Sequence, residues 1–560
     1  MFVRRKKSGK RVYLQIVENS WDAGKTRQRV IATIGRVDLL KHTGKLEGLV
    51  RSCARFCEKL GVLDSIRGAK ETSSETITIG PGLVFERLWR ETGIKQVLED
   101  MLHSRRYEFS VERAIFVTVL HRLFSSGSDR AAEKWKKRYQ IAGAKELELH
   151  HLYRAMAWLG EELPAAEQGE AASLSPRCIK DRIEEHLFLR RQDLFSGLDV
   201  VFFDTTSIYF EGEGGATLGQ RGNSKAHRPD LKQMVVGVVL DGAGNPVCSE
   251  MWPGNTADVK TLLVHVNRLR KRFGIRDVCI VADRGMISNE TIQGIEEQQL
   301  GYILGTRMRK YKEVKEQVLG RGGRFQEVYP ERSTSKDPSP LQVKEVWVDD
   351  RRYIVCLNKE QARKDAADRE AIVASLRDKL KQGDKSFLPA RCAQAGVGNK
   401  GYRRYLKVGN NHFSIDDQRI REESRFDGKW VLRTNRDYPA QEVALKYKQL
   451  WMVEDIFRTM KSILETRPIY HKCDETIRGH VFCSFLALIL RKELQDRLEA
   501  RGWIDVEWAD VIRDLDELHE TEVQISSKRF ILREQCPGVS GKAIQAAGAS
   551  VPPTIRQVKS

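Results

Sequence analysis

The chain has 560 residues and a net charge of +19, with 41% hydrophobic and 31% charged residues. This composition is typical of folded proteins and argues against disorder, and the length predicts about three or four domains. The longest apolar run, "VFCSFLALIL" from Val481, is well short of the roughly 18 residues that a membrane span needs. The charged N-terminus has no apolar segment after it, so we predict neither a membrane anchor nor a secretory signal.

The excess of lysine and arginine favours a polyanionic partner, because cations that neutralise phosphates release counterions. The basic residues are clustered, as in "RRKKSGKR" from Arg4, "RLRKR" from Arg268 and "RMRKYKEVK" from Arg307. Ten scattered cysteines favour an intracellular protein with reduced thiols. Nucleic acid is therefore the first partner to consider.

The first two segments differ in their hydrophobic period. Residues 1–75 begin with alternating apolar and polar residues, which predicts a basic β-meander that could contact DNA. Residues 76–195 change to the helical pattern seen in "SVERAIFVTVLHRLFSSG", which predicts a helical DNA-binding region.

Residues 196–310 contain the most informative block. "LDVVFFDTTSIYF" predicts a strand, "QMVVGVVLDGAGNPVCSEMW" two strands around a turn, and "DVCIVADRG" and "YILGTRM" two further strands. Helical segments separate the later strands, so the order is β-β-β-α-β-α-β. This order matches a ribonuclease-H-like fold, in which a mixed sheet is flanked by helices.

The rest of the chain predicts an interruption of that fold and then its completion. Residues 311–435 are strand-rich and predict a mainly β insertion domain, whereas 436–500 return to long helices that close the core. Residues 501–560 are predicted to be a helical region with a mobile tail. We therefore expect a mixed α/β, multidomain protein.

Two aspartates lie at comparable positions in the predicted sheet. Asp204 follows the apolar run "VVFF", and Asp283 ends the strand "CIVA". The first and fourth strands of this topology are neighbours, so the two carboxylates would lie side by side. Adjacent carboxylates repel each other, and a divalent cation relieves that repulsion. An aspartate after an apolar strand could also be a simple turn residue, but the pair favours a metal site.

A third acid is expected from the segment "YKQLWMVEDIFRTMK", residues 447–461, which we interpret as one amphipathic helix. Tyr447, Glu454 and Lys461 are seven residues apart, so at about 100° per residue they lie within roughly 40° of one another. Asp455 and Glu465 are alternatives, but Asp455 is turned by about 100° from this face. Glu454 is therefore the candidate.

These motifs resemble those of bacterial insertion-sequence transposases of the DDE class, in the group with a Tyr-Arg-Glu-Lys signature. The resemblance rests on "FFDTT", "VADRG" and the spacing of Tyr447, Glu454 and Lys461. It extends over about 200–490, where "FDGKWVLRTN", "ETRPIYH" and "IRGHVFCSFLAL" are also similar. The sequence departs from the signature at Leu450, where the group has arginine, and Arg458 could take over that role.

The resemblance implies a site and its ligands. Asp204, Asp283 and Glu454 would be the catalytic residues and would hold two Mg²⁺ ions, or Mn²⁺ in their place. Tyr447 and Lys461 would contact the transposon-end DNA. The partners implied are the terminal inverted repeats, the target DNA and a second copy of the chain, in the cytoplasm of a bacterium close to its nucleoid.

Several alternatives remain open at this stage. Arg284 could touch DNA or pair with the acids of the site, and Lys461 could pair with Glu465 four residues later. A ribonuclease-H-like nuclease without strand transfer would use the same carboxylates. A catalytically inactive, transposase-derived DNA-binding protein would explain Leu450. A strand-transfer assay with pre-cut ends distinguishes a transposase from the nuclease. Metal-dependent nicking of DNA that carries the ends distinguishes it from the inactive DNA-binding protein.

Overall fold

The structure is a computed structural model, and it describes most of the chain. The described residues are 2–9, 11–22, 25–42, 72–168, 175–191, 200–222, 224–225, 228–274, 279–329, 340–381, 404–408, 413–525 and 528–558. Much of the second half of the predicted segment 1–75 lies outside them. The fold is mixed α/β and divides into two compact units, Met1–Val84 with Arg138–Gln140 and Glu507–Ser560, and Phe85–Lys137 with Ile141–Val506.

Strands and helices are numbered along the chain. The strands are β1 (Phe2–Ser8), β2 (Arg11–Asp22), β3 (Lys25–Arg36), β4 (Thr72–Thr78), β5 (Val200–Tyr209), β6 (Gln233–Leu240), β7 (Pro246–Pro253), β8 (Cys279–Ala282), β9 (Gly301–Gly305), β10 (Gln326–Val328), β11 (Leu341–Val348), β12 (Arg351–Leu357), β13 (Leu406–Val408), β14 (Phe413–Ile415), β15 (Lys429–Thr434), β16 (His519–Ile525), β17 (Lys528–Arg533) and β18 (Ile555–Val558).

The α-helices in the described part of the chain follow the same convention. They are α1 (Val37–His42), α2 (Gly80–Glu91), α3 (Ile94–Leu102), α4 (Val111–Phe124), α5 (Asp129–Trp135), α6 (Leu149–Leu159), α7 (Ile179–Arg191), α8 (Asp258–Phe273), α9 (Asn289–Glu297), α10 (Lys359–Lys381), α11 (Asp417–Ser424), α12 (Ala440–Lys448), α13 (Trp451–Arg458), α14 (Asp474–Glu499), α15 (Trp508–Asp516) and α16 (Ser540–Ala546). No helix in the described ranges is both long enough and apolar enough to cross a membrane.

The first unit contains two small antiparallel sheets. Strands β1, β2 and β3 form one in that order, and its first strand carries the basic sequence "FVRRKKS". The other has the order β18-β17-β16-β4. The C-terminal segment predicted as a helical region with a mobile tail contains helices α15 and α16, and it also contains β16, which pairs antiparallel with both β4 and β17.

The second unit is built on a nine-stranded sheet of order β10-β11-β12-β15-β9-β8-β5-β6-β7. β5, β6 and β7 are antiparallel neighbours, whereas β8 pairs parallel to β5, and β9 parallel to β8. The central strands are buried almost throughout, as their continuous apolar sequences require. Helices α8 and α9 contribute to the same apolar core.

Within the described part of residues 311–435, β13 and β14 form a two-stranded sheet of their own, whereas the other strands join the central sheet. β10, β11, β12 and β15 continue the central sheet, since β15 pairs antiparallel with β9 and β12 with β15. The insertion predicted as a separate, mainly β domain therefore extends the sheet of the core, and it also contains the 23-residue helix α10. Edge strands can add to an existing sheet through backbone hydrogen bonds alone, which leaves no signal in the side-chain pattern.

Helix α14 joins the helical region of the second unit to its sheet. It contacts α4 and α6 on one side and β7 on the other. The crossing with α6 is close, because a Cβ at Gly479 would lie 1.9 Å from the carbonyl oxygen of Met156, and one at Gly160 would lie 2.0 Å from that of Glu475. Glycine at both positions lets the backbones approach.

Changing Gly479 to alanine should lower the free energy of unfolding of the second unit by roughly 1–3 kcal/mol, because the added methyl group meets backbone and not a movable side chain. Urea unfolding followed by circular dichroism measures this change. Gly242→Ala is the matched control, since nothing lies within 4 Å of its Cβ position. Equal stability of both variants would contradict the close crossing.

Candidate active site

Asp204 and Asp283 lie side by side on neighbouring parallel strands. Phe203 of β5 is paired in register with Ala282 of β8, and the two aspartates are the next residues of their strands. Both side chains are half-buried. The neighbouring positions expected from the sequence are therefore observed, and they follow from strand register alone.

The segment 447–461 is not one uniform helix, so that prediction is wrong. Helix α12 ends at Lys448 and α13 begins at Trp451. Between them the backbone tightens, because Leu450 N–H donates to the Tyr447 carbonyl and Val453 N–H donates to the Leu450 carbonyl, each over 3.1 Å. A π-helical turn then follows over Thr459–Ile463. Both irregularities change the rotation per residue, so a seven-residue spacing no longer defines a face.

Glu454 lies on α13, the helix that contacts β5 and β6. Its neighbours Val453 and Phe457 are buried, whereas the glutamate is exposed. Among the described residues, the three carboxylates do not form a cluster whose oxygen atoms all lie within 4.8 Å of one another. The structure brings the helix of Glu454 onto the strand of Asp204, with the carboxylates more widely spaced than the ligands of a single bound ion.

Tyr447 contacts the second aspartate directly. Its hydroxyl donates a hydrogen bond to Asp283 Oδ1 over 3.0 Å. Burial and the charge of Asp283 raise the pKa of Tyr447 above its usual value, so the phenol stays protonated and remains a donor. Space for it comes from Gly305 at the end of β9, where a Cβ would lie 2.3 Å from the Tyr447 hydroxyl oxygen.

Lys461 is affected by the charges of Arg467, Lys225 and Asp204. Burial together with the two neighbouring cations lowers the pKa of Lys461 to about 8, although the charge of Asp204 opposes this shift. The Lys225 ammonium donates to the Thr205 carbonyl over 2.7 Å, next to Asp204 in the chain. The sequence suggested Glu465 as a possible partner of Lys461, whereas in the structure the charges that act on this lysine are those of Arg467, Lys225 and Asp204.

Sequence reasoning missed Lys225 and Arg467. Arg467 lies within "ETRPIYH", a stretch already noted for its resemblance to the transposase group, so a signal for it was present. Lys225 lies in an irregular segment between strands, where no periodicity marks a side chain as part of a site.

A basic cleft of about 300 Å³ is lined by Asp283 and not by Asp204. Arg284 follows the aspartate in a short 3₁₀ turn, is exposed, and lines this cleft. Arg307 holds the turn, because its guanidinium donates to the carbonyls of Arg284 over 3.0 Å and Gly285 over 3.1 Å.

Arg458 and Leu450 lie in different surroundings. Arg458 is exposed and pairs with Asp455 over 3.2 Å, one helical turn before it. Leu450 is buried at the junction of α12 and α13, where it is 6% exposed. The position at which the resembling group has arginine is thus a core position here.

A second group of possible metal ligands lies away from the aspartates. His471 Nε2 lies 3.2 Å from Asp129 Oδ2 and 3.1 Å from His480 Nδ1. However, Arg122 Nη2 lies 2.9 Å from the same His480 nitrogen, so a cation there would face a guanidinium. Burial alone would raise the pKa of Asp129. The hydrogen bond from His471 and the charge of Arg122 outweigh this effect and lower the pKa to about 2. We interpret this group as a buried hydrogen-bond network.

Comparison with known proteins gives the class. The family model for the transposase DDE domain matches residues 195–490, more than half of the chain. The N-terminal domain model of the IS1634 family transposases matches residues 2–67. No curated protein matches the chain. A similar solved structure is the piggyBac transposase synaptic complex with hairpin DNA, with 10% identity over 78% of this chain and 79% of that one, at a TM-score of 0.38.

The protein is thus a DNA transposase, an enzyme that cleaves DNA and transfers strands. More narrowly, the chain belongs to the family of transposases with a DDE domain, as the motifs around its two aspartates and Glu454 led us to expect.

The contact between Gly305 and Tyr447 can be tested by a double-mutant cycle. Gly305→Ala should destabilise the protein by roughly 1–3 kcal/mol, because its methyl group overlaps the phenol hydroxyl. In a Tyr447→Phe background the same change should cost less, since the overlapping oxygen is absent. Urea unfolding of the four proteins measures the difference, and purely additive effects would contradict the contact.

Proposed function

We propose that Asp204, Asp283 and Glu454 are the catalytic residues of this transposase, within a ribonuclease-H-like core. The observation that carries the proposal is the parallel register of β5 and β8, which leaves two carboxylates adjacent at one edge of the sheet. The order β7-β6-β5-β8-β9, with two antiparallel pairings followed by two parallel ones, supports the ribonuclease-H-like assignment. Contact of α13 with β5 supports Glu454 as the third acid.

The donor set fits a hard divalent cation, because all three side chains offer carboxylate oxygens. We propose Mg²⁺, or Mn²⁺ in its place, with two ions held by Asp204, Asp283 and Glu454. Bound ions would supply activation of the attacking oxygen and stabilisation of the leaving oxygen. Tyr447 orients Asp283 through its hydrogen bond and adds no charge of its own.

The reaction proposed has two phosphodiester steps at the transposon ends. Water attacks the phosphorus at the end of the element, which breaks the bond to the 3′-oxygen and leaves a 3′-hydroxyl. This hydroxyl then attacks a phosphodiester of the target DNA, forming one phosphorus–oxygen bond while another breaks. Because bonds are exchanged one for one, no nucleotide cofactor is needed.

The DNA contacts follow the charges of the site. The charge of Asp204 acts on Lys461, which would hold a backbone phosphate of the transposon end, and the charges of Lys225 and Arg467 act on the same lysine. Tyr447, Arg284 and Arg458 complete the proposed DNA-binding set. The basic strand β1 would add contacts outside the catalytic core.

The proposed partners are double-stranded DNA at the terminal inverted repeats and at the target. A homodimer would bring the two ends of one element together. We place this reaction in the bacterial cytoplasm, at the nucleoid.

Removing one carboxylate should stop both steps. Glu454→Gln, Asp204→Asn and Asp283→Asn should each reduce Mg²⁺-dependent nicking and joining by roughly 10³-fold or more, since each takes away a proposed metal ligand. The substrate is a plasmid carrying the inverted repeats that flank the reading frame, and products are resolved on denaturing gels.

Asp455→Asn is the matched control for Glu454→Gln, because Asp455 is its neighbour on α13 and pairs with Arg458. This control should keep its activity. A Glu454→Gln protein that still cuts and joins the ends in Mg²⁺ would refute the assignment of the third acid. Nicking by the wild-type protein without joining of pre-cut ends would indicate a nuclease.

A further inference from the structure

The basic cleft beside Asp283 is rich in cations. Its lining includes Asp283 itself together with Arg284, Arg307, Arg309 and Lys310, in a volume of about 300 Å³. Asp283 is the one acid among the residues that line it. The cleft is therefore positive and opens beside a proposed catalytic carboxylate.

Two of the arginines are held in place before any ligand binds. Arg307 donates to two backbone carbonyls, which fix its guanidinium without neutralising its charge. Arg309 lies 4.9 Å over the ring of Phe426 and donates to Glu423 over 2.9 Å. Because Glu423 also pairs with Arg404 and Arg419, it offsets only part of this charge.

The other two cations are exposed at the mouth of the cleft. Arg284 and Lys310 form no ion pair within the part of the chain that the structure describes. An exposed lysine or arginine without an acidic partner keeps its full attraction for a phosphate. Two fixed guanidiniums and two exposed cations thus converge on one space.

Strand transfer requires two DNA segments at the same carboxylates. Lys225 donates to the Thr205 carbonyl over 2.7 Å, next to Asp204 in the chain, whereas the cleft is lined by Asp283 and not by Asp204. We propose that this cleft binds a backbone phosphate of a second DNA strand, which approaches the carboxylates from the side of Asp283. This inference rests on the proposed function. That strand is either the target DNA or the DNA that flanks the element.

The binding test uses a 30-base-pair duplex of random sequence and needs no catalytic activity. The variant Arg284→Ala/Lys310→Ala should lower the slope of log affinity against log salt concentration by up to about 1.8, because each phosphate contact contributes about 0.9. The charge-preserving variant Arg284→Lys/Lys310→Arg should restore most of the slope. Fluorescence anisotropy at several salt concentrations measures it.

Lys271→Ala is the matched control. Lys271 is exposed near the end of α8, just before the start of β8, and so at the opposite end of that strand from Asp283. It should leave the slope and the activity unchanged. A slope equal to that of the wild type in the double alanine variant would overturn the proposal.

Two activity assays identify the strand. Loss of joining with pre-cut ends, seen as at least a tenfold rise in the target concentration for half-maximal transfer, assigns the cleft to target DNA. Loss of first-strand nicking on a plasmid with intact ends assigns it to flanking DNA. Wild-type protein that neither nicks nor joins would count against the proposed function, and the salt slope would still test the cleft.

Discussion

The parallel pairing of β5 with β8 is the constraint on which the site depends. It sets Phe203 opposite Ala282 and so leaves Asp204 and Asp283 adjacent, although 78 residues separate them in the chain. A slip of one residue would turn one aspartate to the other face of the sheet. The burial of these strands on both faces fixes the register, because any slip would also misplace their apolar side chains. Two like charges are thereby held together by core packing.

The break between α12 and α13 has a role in this arrangement. Helix α12 contacts β8, β9, β11 and β12, and its Tyr447 reaches Asp283, whereas α13 contacts β5 and β6. The tight turn at Leu450 separates these two helices, so that the first contacts the strand before Asp283 and the second contacts the strand of Asp204. This position is buried, so an apolar residue suits it. The departure from the resembling group at Leu450 is therefore consistent with an ordered site, because the residue packs in the core and Lys225 supplies charge next to Asp204.

The sequence was sufficient for the parts of this site that depend on periodicity. Apolar runs located β5 and β8, and their order along the chain was enough to expect adjacent aspartates. The sequence could not predict the helix break at Leu450, because a change to i→i−3 hydrogen bonds leaves the pattern of apolar and polar residues in the segment unchanged. Nor could it show that β10 to β12 join the central sheet, since backbone hydrogen bonds decide that pairing. Lys225 was missed for a related reason, as irregular segments carry no period from which to infer a direction.

The character of each contact with the aspartates is consistent with their proposed role. Cations lie close to both aspartates, which favours the approach of DNA, yet the side chain that donates a hydrogen bond to Asp283 is the neutral phenol of Tyr447. A lysine or arginine at position 447 would neutralise the carboxylate and compete with a bound metal ion. A protonated tyrosine fixes the orientation of Asp283 and leaves its negative charge available. Burial of Tyr447 beside that charge keeps the proton on the phenol, so the residue that positions the carboxylate adds no charge that would compete with the proposed metal ion.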